Sequence, residues 1–444
     1  MARSPLTQSF ANLYFTRLNE LRPAVEASVR RQWGDDALQH RVKTLDVEPD
    51  ENVLVIGTLY KEMTGKPNMM EESTRDVLQD RDLSPDLQAK YCGEGDTLVL
   101  EDESGRITLA GSKLDGETLV TGVVLAVRGV LSSSGELEVS DFCLPGLPPQ
   151  PALPRPAAAT EGGRYVAIVS GLRVGDTRHD LLPLQMLLEH LTGQIGCAED
   201  QRQQASIVRL IIAGDATCPP AAATEQGGAL ASLDVMKKLA SEEQQALSKN
   251  VRSLDQFLTM VTASMPVDLM PGATDPCNYL LPQQPFHHCM LPLASQQPTL
   301  NMCTNPHACS LDGVSFLGSS GQFLDDMVRY LPTDDRLETL ADSLSFQHIA
   351  PTAPDTIGCF PFTSTDPFIV KECPHVYFAG NQPAFQTKLV EGPAGQRSRV
   401  VLVPDFTQDQ TCALVNLDTL ECTAVSFGGL ETDVEMSAAE GVAA

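Results

Sequence analysis

The chain has 444 residues, of which 42% are hydrophobic and 20% are charged, with 32 glycines and 31 prolines. This composition is typical of a globular protein of two or three domains rather than a fibrous or wholly disordered chain. The 58 acidic residues outnumber the 31 basic ones, so the formal net charge is −27. Because affinity for nucleic acid comes largely from Lys and Arg, we expect no strong direct binding to DNA.

Twelve cysteines are scattered along the chain, and none of them forms a CxxC pair. The N-terminal residues lack the charged, apolar and small-residue order of a secretory signal. Both features predict reduced thiols in the cytosol or nucleus. The sequence contains no run of about 18 apolar residues, so we expect no association with a membrane.

Residues 1–40 carry apolar side chains at helical spacing on both sides of Pro23. These side chains are Phe10, Leu13, Tyr14, Leu18, Leu21, Val25, Val29 and Trp33. Because proline suits the first turn of a helix, the pattern predicts an N-terminal segment of two short amphipathic helices.

Residues 41–145 read as about five short strands separated by turn residues, which predicts a small closed barrel such as an OB-fold. The segment has 10 Lys and Arg against 21 Asp and Glu, and its only aromatic residues are Tyr60, Tyr91 and Phe142. OB-folds that bind single strands combine a basic groove with stacking aromatics. We therefore favour a protein-docking barrel. Simple packing on the neighbouring domain is an equal alternative, and a single-stranded nucleic-acid module is a weaker one.

A Pro/Ala/Gly-rich linker is predicted at residues 146–163, followed by an α/β domain at 164–430 and an acidic, disordered tail at 431–444. Strands at 165–171, 206–216 and 266–272 alternate with helical patterns at 179–193 and 233–263. Alternation of this kind predicts a largely parallel sheet with functional loops at the carboxyl ends of its strands.

The strand ends of this domain resemble, position by position, those of the calcineurin-like metallophosphoesterases, in which they hold two metal ions. The corresponding residues here are Ser170, Leu172, Asp215, Ala273, Thr274, Asn381 and Pro383. Two divalent cations need several carboxylates and imidazoles, and only Asp215 is a clear metal ligand. We therefore expect a degenerate site with no catalytic residue, no metal and no cofactor. The alternative is an active phosphoesterase that combines Asp215 with Asp176 and His179.

One further group of side chains resembles a metal cluster. It consists of His287, His288, Cys289, Cys303, His307 and Cys309. Zinc ligands usually come in tight pairs, and the thiols here are too widely spaced for that pattern. We favour buried or loop-stabilising roles for these side chains.

The segment Pro276–Leu311 has 36 residues and six prolines but no Asp, Glu, Lys or Arg. Loops are normally solvated, so a stiff loop without charge is expected to be covered by protein. We take Phe286, His287, Met290 and Leu291 as candidates for contact with a partner, although the cover could be this chain's own barrel.

Four long motifs carry a resemblance to a known family. They are VDLMPGATDPCNYLLPQQPFHHCMLPLA, TNPHACSLDGVSFLGSSGQ, SFQHIAPTAPDTIGCFPF and HVYFAGNQPAF. Together they are similar to the B-subunit family of replicative DNA polymerases. The N-terminal FANLYFTRLNELRP and the segment PTAPDT resemble the delta branch of that family in eukaryotes.

The resemblance implies an OB-fold joined to an inactivated calcineurin-like phosphodiesterase domain in a nuclear, non-catalytic scaffold. Its partners would be the C-terminal cysteine-rich domain of the catalytic subunit of DNA polymerase delta and a third regulatory subunit. The sliding clamp would be reached only indirectly, through that third subunit. Archaeal relatives of the family keep a complete set of metal ligands and act as nucleases. This chain departs from them at most ligand positions.

Overall fold

The computed structural model describes residues 10–66, 90–93, 95–111, 114, 118–153, 163–176, 178, 180–219 and 233–428. The predicted disordered tail, the second half of the predicted linker and His179 lie outside these residues. Within the described part of the chain, no helix is long and apolar enough to cross a membrane.

A single helix, α1 (Phe10–Trp33), replaces the two short helices expected from the sequence. Pro23 lies inside it and leaves one backbone carbonyl without its helical donor. The helix continues because its buried stripe continues past the proline, from Leu18 and Leu21 to Val25 and Val29. This stripe packs on the outside of the barrel described next, and tertiary packing outweighs the local cost of the proline.

The predicted five-stranded barrel is confirmed. Its strands are β1 (Asn52–Glu62), β2 (Thr97–Glu101), β3 (Arg106–Ala110), β4 (Val124–Leu131) and β5 (Leu137–Cys143). They close in the order β1-β2-β3-β5-β4, with β3 and β5 parallel and the other neighbours antiparallel. Closure leaves the barrel without a free sheet edge.

The second domain contains two sheets. The strands are β6 (Tyr165–Val169), β7 (Ile207–Ala213), β8 (Val267–Met270), β9 (Leu300–Met302), β10 (His307–Leu311), β11 (Val314–Ser319), β12 (Val376–Gln382), β13 (Gln386–Glu391), β14 (Arg397–Pro404), β15 (Thr411–Asn416) and β16 (Cys422–Ser426). One sheet has the order β16-β15-β6-β7-β8-β9 and the other β10-β11-β12-β14-β13. The central strands of both sheets are parallel, and the sequence predicted this arrangement for β6, β7 and β8.

Helices cover the outer faces of the two sheets. They are α2 (Leu182–Leu191), α3 (Ala198–Ala205), α4 (Leu233–Thr262), α5 (Gln322–Tyr330), α6 (Arg336–Ser345) and the short α7 (Phe406–Asp409). Leu254 and Leu258 of α4 pack on the six-stranded sheet, and Phe323 of α5 packs in the core that covers the five-stranded sheet. Ile211 of the six-stranded sheet and Phe378 of the five-stranded sheet are buried in the core between the two sheets. The domain is therefore a four-layered α/β sandwich.

The barrel and the second domain share one continuous apolar core. Lys61 Nζ, on β1, donates to the carbonyl of Tyr330 at the end of α5, 2.8 Å away. A Cβ added to Gly122, in the barrel, would lie 1.8 Å from the carbonyl oxygen of Pro351 in the second domain. No other residue fits at such a close approach, so the two domains are packed firmly against each other.

The first half of the predicted linker is held by the second domain. Cys373 N donates to the carbonyl of Pro149, and Gln150 both donates to and accepts from the backbone of Arg397. These bonds fix the path of residues 146–153. The proposed domain boundaries themselves remain a prediction.

Candidate functional site at the strand ends

The carboxyl ends of β6, β7, β8 and β12 meet at one edge of the sandwich. A Cβ added to Gly380, in β12, would lie 2.5 Å from the carbonyl oxygen of Ala213, at the end of β7. Ser170, just after β6, is fully buried. Its Oγ accepts from Asn381 N at 2.8 Å and donates to the carbonyl of Pro404 at 2.9 Å. Ser170 thus ties three strand ends together.

Asp215 is buried at the end of β7 in a left-handed backbone conformation, with φ 51°. Its Oδ1 accepts a hydrogen bond from Thr274 N at 2.9 Å. Burial raises the pKa of this carboxyl, an effect that the bond from Thr274 opposes. A Cβ on Gly272 would lie 2.2 Å from Asp215 N, so the two loops are in van der Waals contact.

Asp275, the second acid of this edge, is saturated with hydrogen bonds. Its Oδ2 accepts from Gly272 N and Ala216 N, and its Oδ1 accepts from both the backbone and the hydroxyl of Thr217. A carboxylate offers about four acceptor positions, and all four are used here. Burial and the neighbouring Asp215 raise its pKa to about 6. Asp275 therefore holds the loops together and has no lone pair left for a metal ion.

An ion pair that the sequence did not predict lies beside these acids. Arg173 Nη2 donates to Asp405 Oδ2 at 2.7 Å, and Asp405 Oδ1 accepts from the backbone and the hydroxyl of Thr407. Arg173 follows β6 and Asp405 follows β14. The sequence shows that Asp405 is an acid immediately after an apolar strand, but nothing in the sequence connects Asp405 with Arg173.

The other predicted positions differ in burial and in hydrogen bonding. Leu172 is buried in the core beneath the helices, whereas Ala273 and Pro383 are exposed. Asn381 is half-buried and donates from Nδ2 to the carbonyl of Ser320 at 2.8 Å. Asp176, a possible substitute ligand, is bound by the backbone and guanidinium of Arg178.

The six Cys and His side chains taken together in the sequence are separated in the structure. His287, His288 and Cys289 form one exposed group. His307 and Cys309 lie instead with Asp268, a residue inside an apolar strand that the sequence pattern did not single out. Five of the six side chains therefore fall into two separate groups in the described part of the chain, and Cys303 belongs to neither.

Part of the charge-free loop is covered by this chain itself. Phe286 and Leu291 are 2% and 0% exposed and pack under α4, with Leu254, Phe257 and Leu258. The expectation that these two contact a partner is therefore wrong, because α4 already covers them. His287 is exposed and Met290 is half-buried, so these two candidates remain untested.

A different part of the same loop, together with the Gly358–Phe360 segment, exposes large apolar side chains. Tyr279 is 83% exposed, Leu280 45% and Phe360 46%. Backbone bonds between Leu281 and the Gly358–Phe360 segment bring the three together. We call Tyr279, Leu280 and Phe360 the apical patch.

Comparison with known families shows where this architecture occurs. A family described as "DNA polymerase delta subunit OB-fold domain" matches residues 9–142, and the family of the alpha/epsilon B-subunit of DNA polymerases matches residues 166–387. The DNA polymerase delta small subunit of Oryza sativa subsp. japonica is 38% identical over 95% of this chain and 93% of its own length.

The chain belongs to the DNA polymerase delta small-subunit family. DNA polymerase delta subunit 2 of Drosophila melanogaster is 38% identical, over 95% of this chain and 93% of its own. The small subunit of Saccharomyces cerevisiae is 32% identical, over 94% and 89%. The resemblance read from the sequence motifs is thereby confirmed. The chain is therefore of the small-subunit type and not of the catalytic-subunit type.

Proposed function

We propose that this chain is a non-catalytic accessory subunit of the nuclear DNA polymerase delta holoenzyme, active in replication and repair synthesis. It holds the C-terminal cysteine-rich domain of the catalytic subunit and a third regulatory subunit, and it reaches the sliding clamp only through that third subunit. The observation that carries the proposal is the identity to delta small subunits over nearly the whole chain.

The strand-end site supports a role without chemistry. We interpret the second domain as a calcineurin-like phosphodiesterase fold whose metal ligands have been replaced. Asp215 is packed against Gly272, the oxygens of Asp275 are saturated, and Arg173 supplies positive charge beside Asp405. A guanidinium of this kind balances carboxylates structurally but cannot activate water as a metal ion does.

The barrel supports scaffolding better than binding of single-stranded DNA. Tyr91 is buried against Tyr330, and the guanidinium of Arg329 stacks on its ring at 4.1 Å. Its ring is therefore covered and is not a platform for a base. The acidic excess of the barrel segment also opposes contact with a phosphate backbone.

The apical patch is our candidate for a surface that contacts the catalytic subunit. Clustered, exposed aromatic and aliphatic side chains are typical anchors of protein interfaces. The patch lies in the loop after β8 and on the Gly358–Phe360 segment, and backbone hydrogen bonds join the two. Its position is therefore fixed before any partner binds, which lowers the entropic cost of association.

The test is co-purification of the full chain with the C-terminal domain of a delta catalytic subunit. The triple variant Tyr279→Ser, Leu280→Ser, Phe360→Ser should lose most of the bound domain while keeping its thermal midpoint. Leu45→Ser is the matched control, because Leu45 is 72% exposed but lies on the barrel side of the molecule. Equal recovery of the domain by the wild type and the triple variant would remove the patch from the proposal.

A further inference from the structure

A polar cluster lies between the two sheets. Asp268 belongs to β8 and points to the inner layer, like Met270 two residues later. His307 and Cys309 belong to β10, the edge strand of the opposite sheet. The ligand atoms of the three side chains all lie within 4.8 Å of one another.

The two oxygens of Asp268 are in different situations. Oδ1 accepts from Arg209 Nη1 at 2.5 Å and from Asn301 Nδ2 at 3.1 Å. Oδ2 is buried and has no hydrogen-bond partner. His307 Nε2 faces it at 3.7 Å, beyond hydrogen-bonding distance, and is itself buried without a partner. Burying two polar atoms without hydrogen-bond partners costs free energy, unless a bound group satisfies them.

We propose that Asp268, His307 and Cys309 form a binding site for one divalent transition-metal ion, of which Zn²⁺ fits best. Oxygen, imidazole nitrogen and thiolate are together the ligand types that zinc accepts. Ligands of a tetrahedral zinc ion lie about 3.3 to 3.6 Å apart, so the observed 3.7 Å between Asp268 and His307 needs little adjustment.

The side chains around the cluster can orient its ligands and balance their charge. Arg209 and Asn301 hold Oδ1 and thereby turn Oδ2 towards His307, as outer-shell partners of metal ligands do. The carboxylate and a thiolate of Cys309 offset the two positive charges of the ion. A water molecule would take the fourth position. The partial exposure of His307 and Cys309 gives an ion a path of entry.

The exposed group formed by His287, His288 and Cys289 is a natural comparison. Its ligand atoms are equally close, but the Nδ1 of His287 already accepts from Cys289 N, and all three residues are exposed. Its side chains would have to be ordered on binding, at a cost in entropy that the buried cluster does not bear. It therefore provides the control for the experiment.

The experiment uses the purified full chain, stripped with a chelator and titrated with Zn²⁺ alone. We expect one zinc ion per chain and a rise in the thermal midpoint that saturates at one equivalent. Co²⁺ in place of zinc should give the intense absorption of tetrahedral coordination and a thiolate-to-cobalt band. His307→Gln and Cys309→Ser should each weaken zinc binding by roughly 100-fold or more, beyond the 10- to 100-fold typical of outer-shell losses.

Cys289→Ser, in the exposed group, should leave zinc affinity and the cobalt spectrum unchanged. Equal thermal midpoints of the wild type and the variants in chelator would show that the variants fold. If Cys309→Ser does not fold, His307→Gln carries the comparison, because that side chain is at the margin of the core. No saturable binding by the wild type, or binding lost only in Cys289→Ser, would overturn the proposal. Asp268 and His307 would then form only an ion pair, with no metal ion between them.

Discussion

Arg17 of the N-terminal helix donates from Nε to Asp366 Oδ2 at 2.8 Å, and both side chains are completely buried. The remaining guanidinium nitrogens donate to the carbonyls of Pro351 and Ala353, each at 2.7 Å. One side chain of α1 thus satisfies three acceptors in the second domain. This contact fixes the helix, the barrel and the second domain in one arrangement.

Replacing Arg17 by Met should lower the free energy of unfolding by about 3 to 5 kcal/mol, because it leaves buried acceptors without their donor. Arg22→Met on the same helix is the control. Arg22 pairs with Glu103 at a partly exposed position, and its loss should cost less than about 1 kcal/mol. Denaturant unfolding of both variants tests this. Similar losses of unfolding free energy in the two variants would mean that the buried Arg17–Asp366 pair stabilises the fold no more than the Arg22–Glu103 pair does.

His348 should make stability depend on pH. Burial, and then the nearby Arg17, lower its pKa from 6.5 to about 4. Between these values the unfolded chain binds a proton that the folded chain does not, so stability should fall as pH drops from 6.5 to 4. The contribution is at most about 1.4 kcal/mol per pH unit.

His348→Gln should show a flatter decline of unfolding free energy over that range of pH. His287→Gln, at an exposed position, should retain the wild-type slope. An unchanged slope in His348→Gln would contradict the assignment of the titration to this residue.

Asp275 and Asp215 accept different numbers of hydrogen bonds, so replacing each of them by Asn should cost a different amount of stability. Asp275→Asn turns an amide group towards N–H and O–H donors that only a carboxylate can satisfy, so we expect a loss of about 3 kcal/mol. Asp215→Asn faces a single backbone donor, Thr274 N, and should cost about 1 kcal/mol. Chemical unfolding of the two variants measures the difference, and the reverse order would contradict the structural weight given to Asp275.

The strand-end site should have no hydrolytic activity. With Mn²⁺, the wild type and Asp215→Ala should release nitrophenol from a phosphodiester substrate at the same background rate. An activity that the wild type shows and Asp215→Ala lacks would revive the phosphoesterase alternative.

Elements with strong hydrophobic periodicity were predictable from the sequence. The runs that became β6, β7, β8 and the helix α4 are examples, because the apolar pattern reflects the face that each element buries. Helix α3 was missed, since AEDQRQQA buries only Gln204 and has no apolar stripe. The joined helix α1 was missed because Pro23 is a local signal, whereas the packing that overrides it is tertiary.

The candidate sites show the same limit. The strand-end positions could be found because each follows an apolar strand, but the pairing of Arg173 with Asp405 depends on two distant loops. The apolar residues Phe286 and Leu291 were read as a partner surface, and their cover by α4 could not be seen in the sequence. Asp268 lies inside an apolar strand, and only the packing of two sheets brings it to His307 and Cys309.

The central claim is that this chain holds together a polymerase without catalysing a reaction. Co-expression of the full chain with the C-terminal domain of a delta catalytic subunit, followed by size-exclusion chromatography in moderate salt, tests it most directly. We predict a single peak that contains both proteins in equal amounts. Separate elution of the two in both low and moderate salt would contradict it.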